Sequence, residues 1–514
     1  MKNLLILFII TLLSAVTVHA QNSYEVTFAT EYEDVINEIT KGYQDEFIVV
    51  RYKSYWAGIY DTAEIARFTL YSFYNNIEDS LCWPVAFYRP DTNIFPQKVY
   101  FDNNCYYVFG SAVTNTSGPD SLLTRWEYMA RFDMNKQIVW EKLYPRPAEL
   151  TGYLTSGGPR ILKLISGNLL VLTGTSMVEN PLYNRWLLRE YSTGGNVLKE
   201  RVFSHYLTGY VQSLTYSFDS TEILIHNSTG GHIPGCNNLE TAGHGALILD
   251  TATYDTVGGV CYLPDINIHY PYEAMFDHNG HLILSGYTTI YDFDQHKFDE
   301  YIGTYILNSD FQVINSRLLT DKDRKTWFAY NEGMDIDENG NIFIAGEVDW
   351  VPDFFPQSYD YIYLAKMDSN LNVLTERYLG GDSFYGIMSM ITTTDGGVAL
   401  GGYKYDYTVN DWGDNDAFLI KTDADLMVGT NEHASIPVHS ALVYPNPGTG
   451  TMNIRTTEKG GVLRLYNLSG KQMLQKKISD LITGIDCSTL TGGVYVWKLY
   501  KNNREIDYGK WIKL

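Results

Sequence analysis

Short apolar runs, rich in Val, Ile, Leu, Tyr and Phe, recur along the chain and are bounded by Gly, Asn, Asp or Ser. "NIFIAG" (341–346), "HLILSG" (281–286) and "GVALGG" (397–402) show the form. The segments between them have no helical periodicity, so the pattern predicts β-strands joined by polar turns.

The runs are copies of one unit. In "DENGNIFIAG" (337–346), "DHNGHLILSG" (277–286) and "TTDGGVALGG" (393–402), a turn glycine (Gly340, Gly280, Gly396) precedes a second glycine by six residues (Gly346, Gly286, Gly402). Fainter copies are "DNNCYYVFG" (102–110), "ISGNLLVLTG" (165–174), "DSTEILIH" (219–226) and "QDEFIVVR" (44–51). The anchors at 51, 110, 174, 226, 286, 346 and 402 are 52 to 64 residues apart, which makes seven units. A strand–turn–strand pattern completes each unit, as in "IYLAKMDSNLNVLTERYL" (362–379). The seventh is abbreviated, "AFLIKTDADLMVG" (417–429). Four short strands repeated seven times predict an all-β fold, a seven-bladed β-propeller over residues 21–430. Six or eight blades would also accommodate the faint first and fourth units. A pair of β-sandwiches, the rival fold, gives no common period. The "DxxGNIxIAG … LxKxD" pattern resembles that of bacterial secreted propellers over roughly residues 40–430, and it describes blades rather than chemistry.

One copy invites a second reading. Asp335, Asp337, Asn339 and Gly340 have the D-x-D-x-N-G spacing that opens a calcium loop. The twelfth position should then hold a bidentate Glu, yet it is Gly346, and Glu347 comes one residue late. A hairpin is preferred, with Asn339-Gly340 and Asn279-Gly280 as turn pairs that both accept positive φ. Asp335 and Asp337 stay only weak metal candidates.

In such a blade the loops between the second and third strands gather on one rim, opposite the Asn-Gly turns. These loops are long: "YTTIYDFDQHKFDEY" (287–301), "EVDWVPDFFPQSYDY" (347–361) and "YKYDYTVNDWGDNDA" (403–417). They supply a candidate ligand face of Tyr291, Asp292, Asp294, Asp349, Trp350, Phe354, Phe355, Tyr405, Asp411 and Trp412. Aromatic rings flanked by carboxylates suit sugars, basic peptides or a protein partner. The competing reading has the rings cap the space between blades and the Asp side chains cap turns. His226, His232, Cys236 and His244 cluster in the fourth unit, but their spacing matches no standard zinc site, and a Gly-rich loop with incidental His is preferred. No nucleophile elbow, P-loop or sialidase-type Asp box is present, catalytic residues are not identifiable, and no cofactor is expected.

Composition adds address and partners. The 42 Tyr against 22 Phe suit half-exposed strands and binding surfaces. Lys2, the run "LLILFIITLLSAV" and "VHA" at 18–20 predict a cleaved secretory signal over residues 1–20, and no other stretch is apolar enough to span a membrane. In an exported chain the five Cys leave two readings open: Cys82–Cys105 and Cys236–Cys261 disulfides with Cys487 left over, or buried thiols. Residues 441–514 hold 11 basic and 5 acidic side chains, net +6, so with Lys2 set aside residues 21–440 carry −29 of the total −22. So acidic a body argues against nucleic acid as a partner.

The basic tail is a separate module after the linker 431–440. Its strands alternate apolar and polar residues, with Leu463, Leu465, Val494, Val496 and Ile512 expected to point inward, which suits a small antiparallel β-sandwich. "YPNP" (Tyr444, Pro445, Asn446, Pro447), "LYNLSGKQM", "IDCSTLTGGVYVWKL" with Gly492, Gly493 and Tyr495, and the final "KWIKL" resemble the type A C-terminal sorting domain of the type IX secretion system of Bacteroidota. The resemblance implies Sec export to the periplasm, recognition of the tail by the outer-membrane translocon, and a secreted or surface-attached product. The motif residues are then recognition and folding elements. The expected function is an exported or cell-surface propeller that binds a glycan, peptide or protein. The alternative is a propeller enzyme, a glycan lyase or hydrolase.

Overall fold

The computed structural model describes residues 23–428 and 441–513, apart from 30–32, 55–66, 115–123, 178–183, 204–210, 228–244, 263–267, 293–295, 351–357, 409–414, 445–447 and shorter stretches. The signal segment 1–20 and the linker 431–440 lie outside the described residues. Contacts divide the chain between Glu432 and His433.

Among the described residues the larger unit consists of seven antiparallel sheets in chain order, the blades of a β-propeller. The fifth blade shows the plan: Ile268–Phe276, Leu282–Asp292, Lys297–Leu307 and Val313–Leu319 pair in that order. The apolar runs are the second strands. Ile342–Val348 of the sixth blade is buried at every residue, because adjacent blades cover both of its faces, whereas the outer strand Val373–Gly380 alternates half-buried with exposed. Neighbouring blades pack through their inner strands and share apolar cores such as Ile283, Ile302, Phe328, Ile344 and Tyr363.

The short seventh unit has a structural cause. Phe384–Thr392, Val398–Tyr405 and Asp416–Lys421 supply three strands, and the fourth is Tyr24–Phe28 from the start of the chain, paired antiparallel from Tyr24↔Lys421 to Phe28↔Ala417. Glu33–Lys41 then begins the first blade and packs against the seventh, so the ring closes non-covalently.

The Asn-Gly hairpins differ from the expected pair of positive φ values. Gly340 has φ of 80°, but Asn339 is not in the left-handed region, so the loop is a type I turn followed by a bulge glycine. Asp337 imposes it: its Oδ1 accepts the N–H groups of Asn339 (2.9 Å) and Asn341 (2.8 Å). The second repeat glycine answers a different need. A Cβ at Gly346 would lie 2.5 Å from the Trp327 carbonyl, and one at Gly402 only 1.8 Å from that of Gly386. In both, the inner strand approaches the second too closely for any side chain.

Of the two cysteine readings left open, the structure selects thiols for one pair, and it corrects one expectation about tyrosine. Cys82 and Cys105 are thiols, not a disulfide: Cys82 is on the outer strand of the first blade, while Cys105 lies in the second and accepts from Arg131 (2.8 Å). Cys261 is disulfide-bonded, and Cys487 is a buried thiol. The tyrosines are also deeper than expected. Tyr106, Tyr254, Tyr363 and Tyr385 are buried and donate to Glu46, Glu190 (2.7 Å), Glu376 and Asp382 (2.6 Å), so tyrosine serves here as a large apolar body with one satisfiable polar atom.

The tail is a sandwich of a three-stranded sheet (Ala441–Tyr444, Thr451–Thr456, Ile482–Asp486) and a four-stranded one (Gln472–Lys477, Val462–Asn467, Gly493–Lys501, Arg504–Lys513). Leu463 and Leu465 are fully buried as expected, but Val494 and Ile512 are exposed and Val496 is half-buried. The strand "GVYVWKLYK" carries apolar residues on both faces, and the face with the larger rings wins: Tyr495, Trp497, Leu499 and Trp511 fill the core.

Closure by one strand makes its three inward residues, Tyr24, Val26 and Phe28, critical. Val26 and Phe28 are fully buried, and the Phe28 ring packs on Tyr71 and Phe73 of the first blade. Phe28→Ala is expected to destabilise the propeller by about 3–5 kcal/mol, measured as a lower urea midpoint of the body's unfolding transition.

Candidate functional site

Every inner strand breaks at one level. Bulges fall between Ile36 and Glu38, Pro96 and Lys98, Val211 and Ser213, Pro271 and Glu273, and Ile387 and Ser389. In the third and sixth blades the strand is instead in two pieces, Tyr153–Thr155 with Arg160–Lys163 and Thr326–Phe328 with Met334–Ile336. Each break re-aims the residue after it, so Glu38, Lys98, Arg160, Ser213, Glu273, Glu332 and Ser389 form a polar girdle. Lys98 of the second blade pairs with Glu38 of the first (2.8 Å) and with Glu332 of the sixth. Blades two and six are not neighbours, so this ion pair crosses the propeller axis.

The girdle also repairs the backbone that the breaks expose. Glu273 Oε2 accepts the Gly333 and Met334 N–H groups at 2.9 and 2.8 Å, and Ser389 Oγ accepts from Ile39 N–H at 3.1 Å. Its charges are unequal in comfort. Burial, and then the neighbouring Glu332, push the Glu38 carboxyl up to about 8. Burial raises Glu273 well above the usual range, with Glu332 adding to it. Burial works on Glu332 too, but Lys98 and Arg160 outweigh it and hold that carboxyl low.

On the face carrying the first-to-second strand turns there is a cavity of about 450 Å³, lined by Lys41, Asp45, Glu46, His278, Glu338 and Thr392 among others. Of the calcium-like residues, Asp337 and Asn339 line it, and both Asp side chains act as structural acceptors. Asp335 accepts from Thr392 N–H (2.7 Å), Thr392 Oγ1 (2.8 Å) and Lys41 (2.7 Å), and Asp337 holds its own turn. Among the described residues no three His, Cys, Asp or Glu side chains are arranged to hold a metal. His226 is buried between Tyr262 and Thr215, where burial pushes it down to about 3, and His232, Cys236 and His244 lie outside the described residues.

The opposite face carries part of the expected aromatic rim. Trp350 stacks on Trp327 (4.7 Å between centroids, 24°), and Trp327 is 5.0 Å from Tyr287 of the fifth blade. Tyr359 contacts Tyr407 (5.1 Å), which is 37% exposed. Asp349 is clamped by Arg324 (2.5 Å). Tyr405, in contrast, is buried. The stretch around Tyr291 and Asp292 is strand rather than loop, since Leu282–Asp292 and Lys297–Leu307 pair along their whole length. Asp294, Phe354, Phe355, Asp411 and Trp412 lie outside the described residues, as do the side chains of Tyr291 and Asp292. Trp327 escapes a loop-based reading because it sits in an inner strand, and Tyr287 opens one of the quoted stretches, 287–301, but is not among the residues singled out there.

In the tail, Tyr495 donates to the Thr491 carbonyl (2.7 Å), Gly492 and Gly493 lead into its strand, and Tyr444 ends the first strand. Pro445, Asn446 and Pro447 lie outside the described residues. Lys513, nearly the last residue, is buried and donates to the carbonyls of Cys487, Ser488 and Leu490 at 2.6, 3.0 and 2.5 Å.

Removing the axial cation tests the girdle. Lys98→Met leaves Glu38 and Glu332 without their shared partner, at an expected cost of about 3–5 kcal/mol in urea unfolding. Both carboxyls then titrate higher in the folded state, so the loss should be larger at pH 8 than at pH 5.

Comparison with known proteins adds identity to the tail only. No curated protein matches the chain. Solved structures with low likeness include PorZ, a surface component of the type-IX secretion system of Porphyromonas gingivalis (10% identity, 93% of this chain and 81% of that one, TM-score 0.21). Two others are the polysaccharide lyase Uly1 (12%, 78% and 99%, 0.43) and the Bombyx mori GH32 β-fructofuranosidase BmSUC1 (12%, 78% and 91%, 0.31). Likenesses of this size carry nothing about activity. Residues 442–513, however, match the family described as the secretion system C-terminal sorting domain. Such a domain implies export, dealings with the secretion machinery, and secretion or attachment at the cell surface. The tail is a type IX secretion-system C-terminal sorting domain carried by a β-propeller.

Proposed function

We propose that the propeller is a binding module that its sorting domain delivers to the cell surface or medium, and that its ligand is a glycan held on the aromatic ledge of Trp350, Trp327 and Tyr287. The observation that carries this reading is the ledge itself: half-buried rings from two neighbouring blades, in mutual contact, at the loop end of the disc. Flat, partly exposed aromatic faces match the C–H faces of sugar rings, and the adjacent Arg324–Asp349 pair offers hydroxyl groups a donor and an acceptor. An acid–base enzyme would need two carboxylates that reach such a ligand. Beside this ledge, Glu347 and Asp360 are fully buried and Asp349 is held by Arg324, which favours binding over turnover. The reading includes a cleaved N-terminal signal as the first export step.

Titration of the full chain with neutral oligosaccharides, followed by calorimetry, tests the ledge. Trp350→Ala should weaken any hit roughly tenfold while leaving the unfolding midpoint nearly unchanged. Release of reducing sugar from a hit would replace this reading with the glycan-enzyme one. For the tail, a chain lacking residues 441–514 should stay inside the outer membrane on fractionation, and its appearance at the surface or in the medium would refute the sorting role.

A further inference from the structure

Buried carboxylates in this propeller come with cations. Asp34 pairs with Arg51, Glu38 with Lys98, Glu46 with Lys136 and Glu127 with Arg146. Glu273 and Asp337 instead accept hydrogen bonds from backbone N–H groups, whereas Glu347 and Asp360 of the sixth blade lack a cation and also leave an oxygen unused. Both are fully buried, and among the described residues neither has an ion pair. Each spends one oxygen on the inner strand of the seventh blade: Glu347 Oε1 accepts Ile387 N–H and Asp360 Oδ1 accepts Tyr385 N–H, both at 2.7 Å. The other oxygen of each, Glu347 Oε2 and Asp360 Oδ2, is buried without a partner among the described residues.

Among the described residues their surroundings supply no positive charge. Burial opposes ionisation of the Tyr403 and Tyr385 phenols of the seventh blade, and so does nearby negative charge, from Glu347, Asp360 and Glu33 on Tyr403 and from Asp382, Glu25 and Asp360 on Tyr385. Asp349 adds another, and its Arg324 is already committed to it. Two bare carboxylates next to each other in so dry and acidic a place would cost far more than the two backbone hydrogen bonds return.

We infer that Glu347 and Asp360 are a proton-binding pair that fastens the sixth blade to the seventh, and that folding takes up at least one proton at this joint. A neutral carboxyl keeps its carbonyl oxygen as the acceptor for the seventh blade's N–H and removes the like-charge repulsion. Deprotonation of both groups would load the joint with two unscreened charges. Because Trp327 lies opposite Glu347 in the strand register, the strain falls directly beneath the aromatic ledge.

The titration agrees in direction. Burial raises both carboxyls, Asp360 to about 8, while an unfolded carboxyl titrates near roughly 4. Between those values the folded state holds a proton that the unfolded chain has lost. Stability contributed by the joint therefore falls as pH rises from about 4 to about 8 and is level above that.

The test is calorimetric unfolding of the full chain from pH 5 to pH 9, in buffers of differing ionisation enthalpy so that proton release is counted. At pH 7, Glu347→Gln and Asp360→Asn should each release about one proton fewer on unfolding than the wild type. Their midpoints should match or exceed the wild type's at pH 8 and fall closer to it, or below it, at pH 5. Wild-type proton release in both variants would overturn the inference. So would a midpoint at pH 8 that calcium raises in the wild type but in neither variant, since the counter-charge would then be a metal ion.

Discussion

The propeller depends on how it breaks its innermost strands. Seven strands converging on one axis cannot all run straight through it, and each one kinks or stops at the same level. A break frees backbone N–H and C=O groups in a place water scarcely reaches, and those groups must be satisfied. The chain satisfies them with side chains of the preceding blade: Glu273 serves the sixth blade, Glu347 and Asp360 the seventh, and Ser389 the first. The polar girdle is thus first a repair, and the charges follow from it. Lys98 then neutralises what the repair introduced, by reaching across the axis to Glu332.

Ring closure obeys the same logic at a larger scale. A seventh blade ending in three strands would leave the row of backbone groups on Asp416–Lys421 unpaired at an edge, an invitation to aggregate. Tyr24–Phe28 covers that edge, so the first and last strands of the body share one sheet. Breaking the ring at any point then exposes two apolar blade faces at once, which makes the closing strand a matter of global stability rather than a local decoration.

Much of this architecture was legible in the sequence because it repeats. The period, the four-strand unit and the glycine anchors follow from residues such as Gly346 and Gly402, whose close contact with the inner-strand carbonyls leaves no room for a side chain. The closing strand was not legible, since "YEVTF" has no copy and its partner lies about 390 residues away. The girdle was hidden for a related reason. Glu38, Lys98 and Glu332 look like ordinary surface charges until bulges turn them inward, and a bulge has no signature in a single sequence. In the tail, the motifs showed the family, yet "GVYVWKLYK" presented two apolar faces, and only the packing of Trp497 and Trp511 decided between them.

The candidate ledge and the uncompensated carboxylates meet in one blade, and their coincidence has a physical rationale. A partly exposed stack such as Trp327 on Trp350 holds its geometry only if the strands beneath it are fixed. Those strands are tied to the seventh blade by Glu347 and Asp360 and to the fifth through the contact of Trp327 with Tyr287. At the position of Glu347 the first, fifth and seventh blades carry Tyr52, Tyr287 and Tyr403, and the second, third and fourth carry Ser111, Thr175 and Asn227, none of them a carboxyl. A carboxyl at this position sacrifices stability at neutral pH and makes the joint sensitive to proton activity. Nothing in the repeat demands a carboxyl there, so it distinguishes the sixth blade from its neighbours at the point where the aromatic ledge is built.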